Sequence, residues 1–357
     1  AYMSPLLRAA REVGQEAVAR KSSPWRVTPA DFFTEAETAR ALFAELIGAD
    51  AEGVAIVPSA SYGVGVAAAN LSPRPEQRIV ALAEQFPSNV YPWQDLAERC
   101  GAVVVTVPRP LDFDWTSALL DQIDERTAIV ALPHCHWTDG SLVDLARVGE
   151  RARAVGAALV VDATQSAGAY PLDIARVQPD FLVSATYKWL LGPYSMGFLY
   201  VAPRHRSGRP LESNWIARAG SEDFSGLVDY TDAYQPGARR FDMGERSNFA
   251  LLPMVIAALR QLLDWRVENI QRTVGELTGQ IEREARRLGL DPVPAERRAD
   301  HLLGIRSPRP LPPGLTTRLA AEQVYVSVRG QSIRVSPHVY NTEADIHRFV
   351  AALGAAL

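Results

Sequence analysis

Two lysines, Lys21 and Lys188, stand among 357 residues whose lysines and arginines together number 37, which leaves 35 arginines. Arginine replaces a surface lysine without loss of charge. It cannot replace a lysine that forms a Schiff base, because it stays protonated and offers no nucleophilic nitrogen. Lys188 lies in an apolar run, Phe-Leu-Val-Ser-Ala-Thr-Tyr-Lys188-Trp-Leu-Leu-Gly-Pro, where solubility needs no ammonium. The economical reading is an enzyme that holds a carbonyl cofactor, pyridoxal 5'-phosphate (PLP), on Lys188. The bland reading is arginine-rich codon usage that left two lysines by chance.

The neighbours decide between them. Val160-Val161-Asp162 ends a strand-like run with a carboxylate, and ligands of open α/β sheets sit at the carboxyl ends of strands. A PLP ring needs a carboxylate against its pyridine nitrogen so that the ring can accept electrons from Cα. Asp162 is placed for this, its alternative being a helix cap. Gln165 can reach the ring's phenolic oxygen. Pro58-Ser-Ala-Ser61-Tyr-Gly-Val-Gly65 follows a strand and opens a helix, a natural phosphate site. Ser61 is the expected side-chain contact, beside the backbone N–H groups of Ala60 and Ser61; a plain N-cap serine is compatible with this. The same stretch also matches a dinucleotide fingerprint, Gly63-x-Gly65-x-x-Ala68, with Glu84 about 20 residues on, the pattern of a nicotinamide-dependent oxidoreductase. Against that reading, five residues separate Val57 from Gly63, where the first glycine should occupy the turn itself. His134-Cys135-His136 has no second ligand cluster at metal spacing, so no metal is expected.

The elements that must position these groups alternate. Short β-rich runs at 54–57, 78–82, 102–107, 127–132, 157–161, 180–183 and 196–201 are separated by helix-length segments such as 142–155. Near-continuous apolar strands with helical crossovers predict an α/β fold, a seven-stranded mostly parallel sheet covered on both faces. Beyond it, 253–265 reads as a helix, and Ile270, Val274, Leu277, Ile281, Ala285 and Leu288 set one apolar stripe on a second. Strands at 301–305 and 332–335 and a helix at 343–353 complete a smaller α+β unit, with Pro-rich loops at 292–298 and 307–314. A large domain over 1–250 and a small one over 251–357 are expected.

The bulk properties exclude other classes. The net charge is −4 and 22% of residues are charged, without a long basic run, so nucleic acid is not an expected partner. No apolar stretch reaches the roughly 18 residues of a membrane span. Ala1-Tyr-Met-Ser-Pro-Leu-Leu lacks the charge-then-apolar order of a signal peptide and is not a natural start, so residues before Ala1 are expected to be missing. Cys100 and Cys135 show no disulfide framework, and a cytoplasmic location is expected.

Asp162 to Asp173, then 180–193 around Lys188, then Gly197-Phe-Leu-Tyr-Val201 together resemble, in order and spacing, the class V aminotransferase family of fold-type-I PLP enzymes. That family includes cysteine desulfurases, kynureninase, isopenicillin-epimerase-like proteins and ergothioneine-type C–S lyases. Ser332-Ile-Arg334 to Thr342 is similar to the family's substrate-carboxylate segment, and residues 1–5 look like its segment that enters the active site. The resemblance implies that Lys188 carries the cofactor, that Asp162 and Gln165 hold the ring, and that Arg334 forks onto the substrate α-carboxylate. It puts Phe86 where desulfurases stack a histidine on the ring, and Tyr187 where a phosphate donor is expected. Trp137 stands in place of a desulfurase asparagine and is expected to wall the substrate pocket. Residues 241–248 look like the loop that reaches a partner subunit's phosphate. Glu245 takes the place of the family's threonine, so Arg246 or Ser247 is expected to serve there, in a homodimer with shared sites.

The expected substrate is an α-amino acid. The segment 324–334 holds no cysteine, and Cys100 and Cys135 are distant in sequence, which disfavours persulfide-forming desulfuration. Cleavage or elimination at Cβ by a C–S or C–C lyase is ranked first, with transamination or epimerisation behind it.

Overall fold

A computed structural model describes residues 2–357. Helices α1 (Arg8–Arg20) and α2 (Asp31–Ile47) lead into the first strand. The large sheet then forms from β1 (Val54–Val57), β2 (Arg78–Leu82), β3 (Val103–Val107), β4 (Thr127–Pro133), β5 (Ala158–Asp162), β6 (Phe181–Ala185) and β7 (Gly197–Val201). Between them lie α3 (Ala60–Asn70), α4 (Tyr91–Cys100), α5 (Trp115–Leu120), α6 (Leu145–Ala154) and α7 (Ile174–Val177). The spatial order is β1-β7-β6-β5-β4-β2-β3. The run from β3 to β6 is parallel, and β7 is antiparallel to both β6 and β1. The sheet is therefore mostly parallel, as its apolar runs predict.

Buried residues on both faces explain why those runs lack alternation. One core packs β-strand side chains such as Val80, Leu132, Val161 and Phe198 against α2, α6 and α8 (Leu252–Trp265). The other packs Ala55, Ile129, Val160 and Val183 against α3 and α4. Phe43 and Phe198 stack at 4.4 Å across the first layer. Burying a side chain such as Phe198 contributes about 1.5–3 kcal/mol. β3 differs from the other strands: it is an edge, and Val103 on it is exposed.

The chain turns sharply at Arg266 (φ +64°) into α9 (Val267–Arg287). The predicted stripe is buried from Ile270 to Ala285, whereas Leu288 beyond the helix is exposed. Ile270 and Val274 join the large core, and Leu277, Ile281 and Ala285 join a smaller one, so α9 bridges the two. The second sheet is antiparallel, with order β10 (Ser327–Arg329), β11 (Ser332–Val335), β9 (Leu303–Arg306), β8 (Asp291–Pro292). Helices α10 (Leu315–Ala321) and α11 (Glu343–Ala356) cover it. Among the described residues no helix is long and apolar enough to cross a membrane.

Candidate active site

β1, β2, β4, β5 and β6 all direct their carboxyl ends to one edge of the large sheet, where ligands of such sheets bind. A cavity of about 300 Å³ opens there. Its wall takes Ala60 and Ser61 from the start of α3, Phe86 after β2, Trp137 after β4, Asp162 and Gln165 from the end of β5, and Tyr187 and Lys188 after β6. Eight residues singled out from the sequence thus share one cavity.

Lys188 follows β6 on a constrained loop. Thr186 donates its hydroxyl to the carbonyl of Pro193 at 2.6 Å, and its N–H donates to Met196 at 3.0 Å. Leu191 and Ser195 take positive φ values of +55° and +66°, a local cost of about 1–3 kcal/mol each that the surrounding bonds must offset. Gly168, at φ +93°, lies beneath this loop; a Cβ there would stand 2.4 Å from the carbonyl oxygen of Trp189. The Lys188 side chain is 6% exposed and, among the described residues, makes no hydrogen bond or ion pair. Its Nζ lies 5.3 Å from the Phe86 ring centre and 5.4 Å from that of Tyr187. Burial lowers its pKa to about 8, partly opposed by the Asp162 carboxylate and assisted by Arg334. A neutral, nucleophilic fraction therefore exists near neutral pH.

Asp162 is 8% exposed and accepts the Thr164 N–H at 2.9 Å. That bond closes a turn, and no helix follows for Asp162 to cap. The Gln165 side-chain oxygen accepts the Trp189 indole N–H at 2.9 Å, and its main-chain carbonyl meets His301 Nε2 at 2.6 Å. The residue after Lys188 thus fixes the amide of Gln165. At α3 the cap is Ser59, whose hydroxyl accepts the Tyr62 N–H at 3.1 Å. Ser61 is relieved of capping and pairs with the Ser88 hydroxyl at 2.9 Å, and both line the cavity. The N–H groups of Ala60 and Ser61 sit in the first turn, where a helix supplies no acceptor.

Phe86 meets Trp137 edge to face at 5.5 Å, and the Trp137 indole N–H donates to the Glu84 carbonyl at 2.7 Å. Behind Trp137 stands Arg334 on β11, 3% exposed. Its guanidinium donates to Trp137 O at 2.6 Å and to Ser327 Oγ at 3.1 Å. Burial lowers its pKa to about 10, with Arg329 adding to the effect. Arg334 does not line the 300 Å³ cavity; it faces an adjoining one that Tyr2, Met3, Ser4 and Pro5 also wall. The Ser4 N–H donates to Tyr187 O at 3.1 Å, which docks the N-terminal segment beside the site; Ala1 lies outside the described residues.

The remaining residues singled out from the sequence lie elsewhere or serve differently. Arg246 is wholly buried and bound to Asp242, which also pairs with the wholly buried Arg40. Its guanidinium is thus engaged inside the subunit, with Asp242 and Gln235. Ser247, also outside the cavity, donates to the Phe32 carbonyl. Gly63 and Gly65 lie inside α3, not in the turn before it, and a Cβ on Gly63 would sit 2.6 Å from Val183 Cγ2. That glycine serves helix–sheet packing, and the dinucleotide reading fails. Cys135, distant in sequence, lines the cavity. Sequence reasoning also missed Gln85, Ser88, Thr164, Tyr194 and Ser195; only the alternation of strand ends with short polar loops hinted at them.

The fold and the lysine-bearing cavity define a PLP-dependent enzyme of fold-type I. The family model described as "Aminotransferase class-V" matches residues 7–289, and the chain belongs to the class V aminotransferase family. It is 28% identical to an uncharacterized aminotransferase, YcbU, of Bacillus subtilis over 99% of this chain and 91% of the relative. It is 27% identical to isopenicillin N epimerase of Streptomyces clavuligerus over 89% of this chain and 83% of that one. Among solved structures, the cystine C–S lyase C-DES with its product cysteine persulfide superposes with a TM-score of 0.87 at 20% identity, covering 98% of this chain and 94% of that chain. A lysine-to-alanine mutant of C-DES, with glycine covalently linked to its PLP cofactor, gives a TM-score of 0.88 at 19% identity over 99% and 94%.

Proposed function

We propose that the chain is a lyase that cleaves a C–S or C–C bond at Cβ of an α-amino acid, with PLP held on Lys188. The observation that carries the cofactor attachment is the buried amine of Lys188, unpartnered among the described residues and lowered by burial to a pKa of about 8 beside Asp162; the ranking of cleavage rests on the thiols below. The residues fit the cofactor. Asp162 would hold its ring nitrogen and Gln165 its phenolic oxygen. Ala60 and Ser61, with the Ser88 and Tyr187 hydroxyls, would hold its phosphate. When bound, PLP supplies an electron sink for bonds at Cα. Lys188 Nζ then moves the Cα proton, Arg334 holds the α-carboxylate, and Phe86 and Trp137 exclude water from the reacting face.

The thiols support cleavage without a persulfide on the enzyme. Burial pushes the Cys135 pKa up to about 12, and Asp139 adds to this, while the thiol meets Gly140 O at 3.6 Å. A thiol kept protonated is a poor nucleophile. Cys100, at the end of α4, does not line the cavity. The test is a screen of amino acids, sulfur-containing ones included, with separate detection of keto acid, ammonia and sulfide. Elimination at Cβ is expected to give ammonia and keto acid in equal amounts, and hydrolytic C–C cleavage to give alanine with the released acid. Keto acid that appears only with an acceptor present and without ammonia, or inverted substrate alone, overturns the lyase reading in favour of transamination or epimerisation.

Three further readings belong to the same proposal. A division into two domains, 1–250 and 251–357, is supported by the two separate sheets, with α8 and the start of α9 packing onto the large core. Two unpaired cysteines suit the cytoplasm. The family resemblance supports a homodimer, and exposed Trp25, Val228 and Tyr230 leave apolar surface bare on the single chain. Sedimentation of the holoenzyme at micromolar concentration tests the last, and a monomer refutes it.

A further inference from the structure

The small sheet presents three arginines on one face. Arg306 on β9 pairs in register with Ser332 on β11, and Ser332 pairs with Arg329 on β10. Register partners in antiparallel strands share a face, as do residues two apart along a strand. Arg334, two residues beyond Ser332, therefore points to the same side, one rung along. A tight hairpin at Gly330 and Gln331, with Gly330 at φ +57°, fixes this arrangement. Its rungs are separated by about 7 Å, two residues of strand rise.

That face looks onto a third cavity, of about 540 Å³, which shares Gln85 and Trp137 with the Lys188 cavity. Arg306, Arg329 and Ser332 all line it. Among the described residues neither Arg306 nor Arg329 meets a carboxylate. Arg306 lies over the Phe113 ring at 4.5 Å, and Arg329 donates only to Val328 O at 2.8 Å. The Ser332 hydroxyl is buried without a partner. The two acidic residues of this cavity are already neutralised: Glu84 at 2.7 Å and Asp139 closer still both pair with Arg109. The carboxylates are thus spent on Arg109, and two cations remain. Arg306 and Arg329 flank Ser332 from the two neighbouring strands, so an anion that enters between them meets both; Asp291, across from Arg306 on β8, shares its face without pairing with it.

The indole of Trp137 connects this cavity with the Lys188 cavity. The Arg334 and Arg329 guanidinium carbons lie 5.9 and 5.5 Å from its ring, and Phe86 and then Lys188 continue the line. We propose that the substrate is a dicarboxylic amino acid, whose side chain passes Trp137 and places its distal carboxylate between Arg329 and Arg306, with Ser332 Oγ donating to it. This rests on reading the Lys188 cavity as an amino-acid site with Arg334 on the α-carboxylate. Arg329 and Arg306 then set specificity and take no part in bond breaking.

The experiment is calorimetric binding of glutarate and of valerate, its monocarboxylate counterpart of equal chain length, to the PLP-loaded protein. Glutarate is expected to bind at least tenfold more tightly, about 1.4 kcal/mol. Arg329→Gln and Arg306→Gln should each shrink that ratio while leaving valerate affinity within twofold of wild type. Equal affinities in the wild type, no binding of either acid, or a preference that survives in both variants overturns the proposal. Protein that fails to take up PLP, read by the absence of visible absorbance, overturns the underlying reading of the site instead.

Discussion

Asp242→Ala tests how the loop from 241 to 248 supports the site. The Asp242 carboxylate is wholly buried and accepts four hydrogen bonds. They come from Arg40 at 2.8 and 3.2 Å, from the Ile56 N–H at 2.7 Å, and from Arg246. Burial alone would lower the Arg40 pKa, yet the paired Asp242 and Glu37 carboxylates raise it above its ordinary value. Removing Asp242 leaves two guanidiniums buried, with Glu37 near Arg40 at 3.2 Å as the remaining counter-charge. Breaking such a buried pair costs about 3–5 kcal/mol. Arg246→Ala should cost less, because Asp242 keeps Arg40 and the Ile56 N–H. The strand so anchored, β1, delivers Ala60 and Ser61, so Asp242→Ala should also weaken PLP retention. Urea unfolding followed by tryptophan fluorescence, with parallel PLP titration, reads both effects. A loss below about 1 kcal/mol, within the range of ordinary substitutions, or a larger loss for Arg246→Ala, refutes the reasoning.

Asp162→Asn should retain some PLP but slow turnover by at least about a hundredfold; a change under about tenfold, or 1.4 kcal/mol, reduces Asp162 to a turn-forming residue. Burial holds His134, His301 and His338 at pKa values of about 4, 3 and 4, below the ordinary 6.5. Between pH 6.5 and about 4 the unfolded chain therefore binds more protons at these sites, and stability falls as pH falls. The loss from pH 7.5 to 5.5 is about 1.4 kcal/mol per histidine and about 4 kcal/mol for the three, and a flat profile of urea midpoints over that range contradicts it. Gly168→Ala should destabilise the protein by about 1–3 kcal/mol and impair PLP uptake, since its Cβ meets the Trp189 carbonyl; wild-type melting and PLP binding would show that the Lys188 loop tolerates movement.

Much of the fold was legible because a strand buried on both faces must be apolar throughout. The runs ending in Val57, Leu82 and Val161 carry that pattern without interruption. Shorter elements escaped: β8 has two residues, β10 has three, and α10 has seven, directly after the Pro-rich loop at 307–314. At the site, Asp162, Gln165 and Lys188 were legible because their chemistry is tied to strand ends. Ser59 and Ser61 differ only in backbone geometry, which composition does not encode, so a cap on Ser61 stayed open until the structure gave it to Ser59. Arg246 is a different case. An arginine in a loop reads as exposed, and only the tertiary placement of Asp242 and Arg40 shows that its charge is consumed inside. Cys135 was discounted on sequence distance, which the convergence of parallel strands makes irrelevant.

The most direct test of the central claim is borohydride reduction of the PLP-loaded protein, followed by peptide mass spectrometry. Lys188 is buried in the cavity, whereas Lys21 is exposed at the end of α1. One stable pyridoxyl adduct per chain is expected, on the peptide that contains Lys188. An adduct confined to Lys21, or undiminished labelling in Lys188→Arg, would contradict it.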